Sequence, residues 1–351
     1  MHFSTSNSKN TRRDGETAAA RMPDANWTRV WLAGLVLALL IAGCMEAYWR
    51  SRGYQPVLVD DLNLWCLQRE IVDENKETVA LLGSSRMALG FVPDVLRRAY
   101  PRYQVANLSL EGTNPIGVLR DLASDEKFHG VVLVDCPPFG MQHRFWYSLQ
   151  DHIDYYHSRW NPVQKLDRYL ASFVQSHLVL LRVELDLRNT IHSKGRPKIL
   201  PHVLHDDRSV SYSFANVRMN AGGSAREEHA SPQPLSRTTS TTPAQDLNAW
   251  REDCKQINSW IERIQARGGK VCFAPFIATG SLRQSEKEQF PRQLYWDYFV
   301  KNTPASTIFY QDIPVLDAFH CPDESHLDAS DAPRYTALLC AEMEKRGVIH
   351  R

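Results

Sequence analysis

The sequence predicts a three-layer α/β body on a parallel sheet, split by a helical insertion and preceded by one N-terminal transmembrane helix. Three observations carry this. Short apolar runs of strand type alternate with helical stretches at intervals that suit right-handed β-α-β units and parallel strands. The alternation stops near residue 140 and resumes at 246. An uncharged apolar block stands close to the N-terminus. Charge is balanced, 41 Lys and Arg against 40 Asp and Glu, so no global field points to nucleic acid. No C-x-x-C or H-E-x-x-H spacing suggests a metal, and no nucleotide or other cofactor is implied.

Residues 1–27, rich in Ser, Thr, Asn and Arg, are expected to form a disordered cytoplasmic tail. Residues 28–49 are expected to be the anchor. Their uncharged centre is slightly short of the roughly 20 residues a spanning helix needs. Trp27, Tyr48 and Trp49 suit the two interfaces and Arg29 can snorkel, which restores the span. Lys9, Arg12, Arg13, Arg21 and Arg29 precede the block, against Arg50 and Arg52 just after it. That bias puts the N-terminus in the cytoplasm and the body outside, in a Gram-negative cell an inner-membrane protein facing the periplasm. Two other readings stand beside it. Ile41-Ala42-Gly43-Cys44 has the form of a lipobox, giving a lipoprotein anchored at Cys44, although the preceding polar segment is long for a signal peptide. A buried helix of a soluble protein is the third. The seven cysteines are scattered singly, which argues against a disulfide framework but leaves one or two bridges open.

The first half of the body spans 50–139. A short amphipathic helix up to Arg69 leads to a strand at 78–82, a serine-bearing turn and a helix opened by Pro93. A second strand at 103–108, a helix at 116–124 and a third strand at 130–134 follow. The third strand is apolar throughout, as a strand buried on both faces should be. Residues 140–205 are expected to be a helical insertion, with a long helix at 162–190. Its apolar positions Leu166, Tyr169, Leu170, Phe173, Leu178, Leu181 and Val183 have helical spacing and are expected to pack on the sheet domain or line a cleft. Residues 206–245 read as a flexible low-complexity loop. The second half, 246–351, holds a helix at 247–266 with Trp250, Ile257, Trp260 and Ile264 inward. A fourth strand at 270–276, a helical region at 281–301 bent near Pro291, a fifth strand at 307–310 and a last helix at 332–346 complete it.

Two short stretches carry chemistry. Gly83-Ser84-Ser85 ends the first strand, where a sharp turn lifts a serine hydroxyl above the sheet. Asp323-Glu324-Ser325-His326 stands before the last helix, far in sequence as a base for that serine should be. Each is weak alone; their places in an α/β body give them force together. At these residues the sequence resembles the SGNH (GDSL-like) hydrolase superfamily, over 75–139 and 246–351 but not the insertion. Within it, the resemblance is to membrane-anchored envelope relatives that include polysaccharide O-acetyltransferases. It implies a flavodoxin-like fold with Ser85 as nucleophile, Ser84 replacing the family's usual Asp. Asn107-Leu108-Ser109-Leu110-Glu111-Gly112 matches the second motif and makes the Gly112 N–H an oxyanion donor beside that of Ser85. Asp323 and His326 match the last motif, the histidine taking the serine proton and the aspartate orienting the ring. The third motif departs: Asp135-Cys136-Pro137-Pro138 stands where the family has an Asn donor. A donor of that kind is worth about 3 kcal/mol. Asn114 or Arg86 could take its place.

The function expected is therefore transfer or hydrolysis of an acyl, most simply acetyl, ester on an envelope or exported polysaccharide. A membrane-bound acyl-donor protein is a candidate partner. The alternative is a catalytically degenerate domain that binds polysaccharide or scaffolds an assembly machine. A lipase or thioesterase is a third reading, without an apolar acyl pocket visible in the sequence. Each site residue also has a plainer reading: a turn serine, a surface histidine, a helix-capping Asp323, a Gly112 needed only for positive φ. Cys136 reads as a small buried hydrophobe. His143, Tyr147, His152, Tyr155, Tyr156, His157 and Trp160 could stack on sugar but fit helix packing better. Glu286, Phe290, Pro291, Arg292, Tyr295 and Trp296 are expected to give core packing and a surface ion pair.

Overall fold

The computed structural model describes residues 26–74, 77–192, 202–214 and 247–351. The expected tail before residue 26 and the loop at 215–245 lie outside the described residues. Two compact units divide the chain after Arg52.

The first unit is one helix, Trp27–Ser51, long and apolar enough to cross a membrane. The Asn26 side chain accepts from the Arg29 N–H at its start, and Glu46 pairs with Arg50 at its end. At 25 residues it spans about 37 Å, more than a hydrocarbon core of about 30 Å.

The second unit is built on a five-stranded parallel sheet. In chain order its strands are β1 (Thr78–Leu82), β2 (Gln104–Asn107), β3 (Val131–Val134), then, after an antiparallel pair β4 (His202–Leu204) and β5 (Val210–Tyr212), β6 (Lys270–Phe273) and β7 (Ser306–Thr307). The order across the sheet is β2-β1-β3-β6-β7, all neighbours parallel. Counted by the sheet's own strands this is 2-1-3-4-5, the flavodoxin-like arrangement. Strand periodicity divides the interior in two. Ala80, Leu82, Ala106, Val132, Val134, Val271 and Phe273 point to one face, under helices Leu62–Glu74, Ile116–Ser124 and Leu247–Ala266. Val79, Leu81, Val105, Val131, Leu133 and Cys272 point to the other, under helices Pro93–Ala99 and Ala332–Lys345. The three layers expected from the sequence are present, and Trp250, Ile257, Trp260 and Ile264 are all buried.

The insertion departs from expectation in three ways. The helix expected over 162–190 stops at His177, and short 3-10 turns follow before a further helix at Leu187–His192. Its apolar residues largely face away from the sheet domain, although Phe173 lines a cleft of about 410 Å³ with Leu58, Val203 and Leu204. Leu166, Tyr169, Leu170 and Phe173 are exposed, while Arg168 is buried at 1% exposure. The reason is electrostatic: Arg168 binds the carboxylate of Asp61 at 3.0 Å, Gln175 and Ser172, and Lys165 reaches Glu70. Those bonds hold the polar face inward. Residues 206–214, expected as the start of a loop, form the turn and second strand of the β4–β5 hairpin. Arg208, at φ 58°, holds that turn by pairing with Asp60 and bonding the Asn107 carbonyl.

The His-rich stretch behaves as packing. Tyr155 donates to Asn63 and Tyr156 to Asp73, His157 bonds Asp121, and the His152 ring meets Trp65 edge-on. All seven cysteines are free thiols, and burial pushes the Cys136 thiol well above its usual range.

Candidate active site

The site lies outside the carboxyl ends of β1 and β3, at the point where strand order reverses. After Leu82 the chain turns through Gly83 into the short helix Ser85–Gly90, with Ser84 extended at its N-cap. Only glycine fits at 83, because a Cβ there would run into the side chains of Met87 and Asp135. The Ser85 hydroxyl donates to His326 Nε2 at 2.7 Å. His326 Nδ1 donates in turn to Asp323 Oδ2 at 2.6 Å. With that tautomer, Nε2 keeps its lone pair toward the serine. The other Asp323 oxygen accepts from the N–H groups of His326 and Ser325. Burial alone would raise the Asp323 pKa, but the His326 bonds and the Ser325 N–H outweigh it and hold the carboxyl below its usual range. Three residues spread over more than 240 positions thus form one hydrogen-bonded chain.

Glu324, between the two members of the turn, is one of two non-glycine residues with positive φ among those described. Its carboxylate accepts from the Ser281 hydroxyl and from the N–H groups of Ser281 and Leu282, and its carbonyl from the Thr279 N–H. These bonds staple the Asp323–His326 turn to the start of helix Gly280–Gln289. No sequence pattern marks Glu324 for that role, because the helix start it binds lies 43 positions earlier in the chain.

Arg86, next to the serine, is buried beneath the site. Its guanidinium donates to Glu286 at 2.6 Å and to the Ser325 hydroxyl at 3.3 Å. Burial works against its charge, but Glu286 and then Asp135 more than offset this and keep it protonated. Asp135 closes the floor. One carboxylate oxygen accepts from the Phe276 N–H at 2.9 Å, while the other is buried with no hydrogen-bond partner. Burial pushes its pKa up to about 6 against the pull of Arg86 and the Phe276 N–H. The residue noted as a departure from the third motif is therefore a buried carboxyl whose pKa is raised by burial.

Ser84, Ser85, Arg86, Asp135, Pro137, Phe139 and Ser325 line a cleft of about 180 Å³. Arg86, Pro137 and Phe139 also line a neighbouring, larger cavity of about 340 Å³. Phe276, Phe290, Trp296, Phe309 and Tyr310 give that cavity an aromatic wall, and Arg283, Lys287 and Arg292 give it a basic rim. Glu286, Phe290, Pro291, Arg292 and Trp296 line this cavity, and the expected core packing and surface ion pair are also present: Tyr295 and Trp296 are buried in the core with Phe290 against it, and Arg292 pairs with Asp297 and Asp312 at the surface. Asn114, a candidate for the missing donor, bonds the Gly140 carbonyl through its amide at 2.8 Å and is not among the residues lining the cleft. Gly112 is an exposed turn residue at φ 71° and is not among the residues lining the cleft.

No family model matches the chain, and no curated protein does. A solved structure of TesA aligns with 78% of this chain and 100% of its own at 11% identity and a TM-score of 0.37. A likeness that distant carries no argument, so the reading of the site rests on strand order and side-chain geometry.

Proposed function

We propose that the protein is a serine-dependent acyl-ester transferase or hydrolase of SGNH type, acting on an acylated envelope or exported polysaccharide. The Ser85–His326–Asp323 chain carries the reading, with its 2.7 and 2.6 Å links. A serine hydroxyl is a poor nucleophile at neutral pH, and an imidazole in contact with it accepts its proton as attack begins. Asp323 fixes the ring and stabilises the imidazolium. His326 then returns the proton to the leaving sugar oxygen, leaving the acyl group on Ser85. Water releases it as an acid; a second sugar hydroxyl takes it as a new ester. The oxyanion is received by the N–H of Ser85, with the Arg86 guanidinium nearby, while Gly112, the second donor the resemblance implies, stands outside the cleft lining. The aromatic wall suits sugar rings, and acetyl is the simplest acyl group for a cleft this small. Helix Trp27–Ser51 is read as an uncleaved anchor holding the body on the periplasmic side of an inner membrane, where a membrane-bound protein could supply the acyl group.

A second reading, a non-catalytic domain that binds or scaffolds glycan, is favoured by Asp135 at the end of β3, where the family has a neutral donor. Turnover of p-nitrophenyl acetate by the full chain in nanodiscs separates the two. Ser85→Ala and His326→Ala are each expected to lower it by roughly a thousand-fold or more without changing the fold. Turnover unchanged in both variants, or absent in a folded wild type that still binds glycan, gives the second reading. Acetylated and bare glycans as acceptors then tell transfer from hydrolysis.

A further inference from the structure

Helix Pro162–His177 is amphipathic with its polarity reversed. Towards the body it presents Gln164, Lys165, Arg168, Ser172 and Gln175; away from it, Val163, Leu166, Tyr169, Leu170 and Phe173. Val163 is 74% exposed and Phe173 64%. The spacing of the outward set follows one face of a helix. Beyond the helix end Leu178, Leu181, Val183 and Ile191 are exposed as well. Rotating the helix to bury this stripe would break Arg168 from Asp61 and Lys165 from Glu70. The bonding of the body therefore maintains an apolar face outward, and contiguous patches of this kind mark interaction surfaces.

We propose that this face lies on the lipid bilayer, seated at the headgroup level of the membrane that helix Trp27–Ser51 crosses. Chain connectivity selects the occupant. Four residues after Ser51, the Gln55 carbonyl accepts from Arg182 at 2.8 Å, and the Val59 N–H donates to Gln175 inside the reversed helix. Four residues reach at most about 14 Å. The insertion is thus bonded to the segment on which the chain leaves its apolar helix, and a spanning helix of 25 residues ends at the headgroups. An interfacial helix needs what this one has: an apolar face to sink 5–10 Å into the headgroup and acyl boundary, an aromatic residue on it in Tyr169, and a polar face turned away. Docking would fix the body against the bilayer at two points and hold the Ser85 cleft at a set height.

The proposal rests on the anchor reading but not on catalysis, and the test keeps the two apart. The full chain, with Cys44→Ser, is placed one copy per nanodisc of phosphatidylethanolamine and phosphatidylglycerol. Nitroxides are attached through Leu37→Cys, Leu166→Cys, Leu170→Cys, Phe173→Cys and Glu262→Cys, the last on an exposed site of helix Leu247–Ala266. Relaxation by oxygen, which concentrates in lipid, is compared with relaxation by a water-soluble nickel chelate. The expected result is a ratio several-fold higher at 166, 170 and 173 than at 262, on the side of 37. Labels at 37 in lipid with 166, 170 and 173 matching 262 overturn the docking and leave a second copy or another protein as the cover. Shielding from both reagents at 166–173 also overturns it. A label at 37 that matches 262 overturns the anchor, and the docking with it.

Discussion

Two helices of this molecule carry the same kind of pattern and use it in opposite directions. Helix Leu247–Ala266 turns Trp250, Cys254, Ile257, Trp260, Ile261 and Ile264 into the core under the sheet. Helix Pro162–His177 buries Arg168 and shows its apolar stripe to the outside. Helical period defines a face in both; the neighbours decide which side it turns. The first helix lies over β3 and β6, whose inward residues on that side are all apolar. The second meets the carboxylates of Asp61 and Glu70 beside helix Leu62–Glu74, and a carboxylate there is better answered by Arg168 and Lys165 than by Leu166.

The comparison breaks first where packing is densest. Trp260→Ala is expected to cost about 3–5 kcal/mol in denaturant unfolding of the full chain, as a large side chain lost from a full interior. Arg168→Met should come next, at about 1–3 kcal/mol, because Gln175 and Ser172 lose a buried partner while the partly exposed Asp61 can hydrate. Equal losses from both changes would mean that the second helix depends on its polar face as fully as the first on its apolar one.

Buried charge sharpens the contrast further. Arg168 has three partners, whereas one oxygen of Asp135 has none. A carboxyl raised to about 6 in the folded state, from about 3.9 when unfolded, binds its proton more tightly in the native form. Stability should therefore fall as pH rises from about 4 to about 6, by on the order of 1–3 kcal/mol, and stay lower above. Asp135→Asn is expected to remove that fall, visible in unfolding midpoints taken across the range; a slope kept in the variant assigns it to another group. The smallest effect is expected at the exposed stripe, where Phe173→Ser should stay within about 0.5 kcal/mol in detergent solution. A loss comparable to that of Trp260→Ala would show that protein, not lipid or solvent, covers the face.

These contrasts also mark what could be read from the chain. The strands read at 78–82, 130–134 and 270–276, observed at 78–82, 131–134 and 270–273, were legible because sheet strands covered on both faces are largely apolar. Ser85, Asp323 and His326 were legible as a set because two short motifs fell at the first strand end and before the last helix, and the structure brings them together. The direction of helix Pro162–His177 was not, since period alone says nothing of Asp61 and Glu70, some hundred positions earlier. The Arg86–Glu286 pair joins residues 200 apart, and neither end carries a pattern that names the other. The hold of Arg208 on Asp60 and Asn107 was hidden for the same reason.

The most direct test of the central claim is covalent capture of the nucleophile. The full chain in nanodiscs is treated with a serine-reactive fluorophosphonate and the adduct located by peptide mass spectrometry. An activated Ser85 gives a single adduct on the peptide containing Gly83-Ser84-Ser85, lost in Ser85→Ala and reduced to background in His326→Ala. A folded protein that takes no label, or one labelled equally well in the His326→Ala variant, contradicts a serine hydroxyl activated by His326.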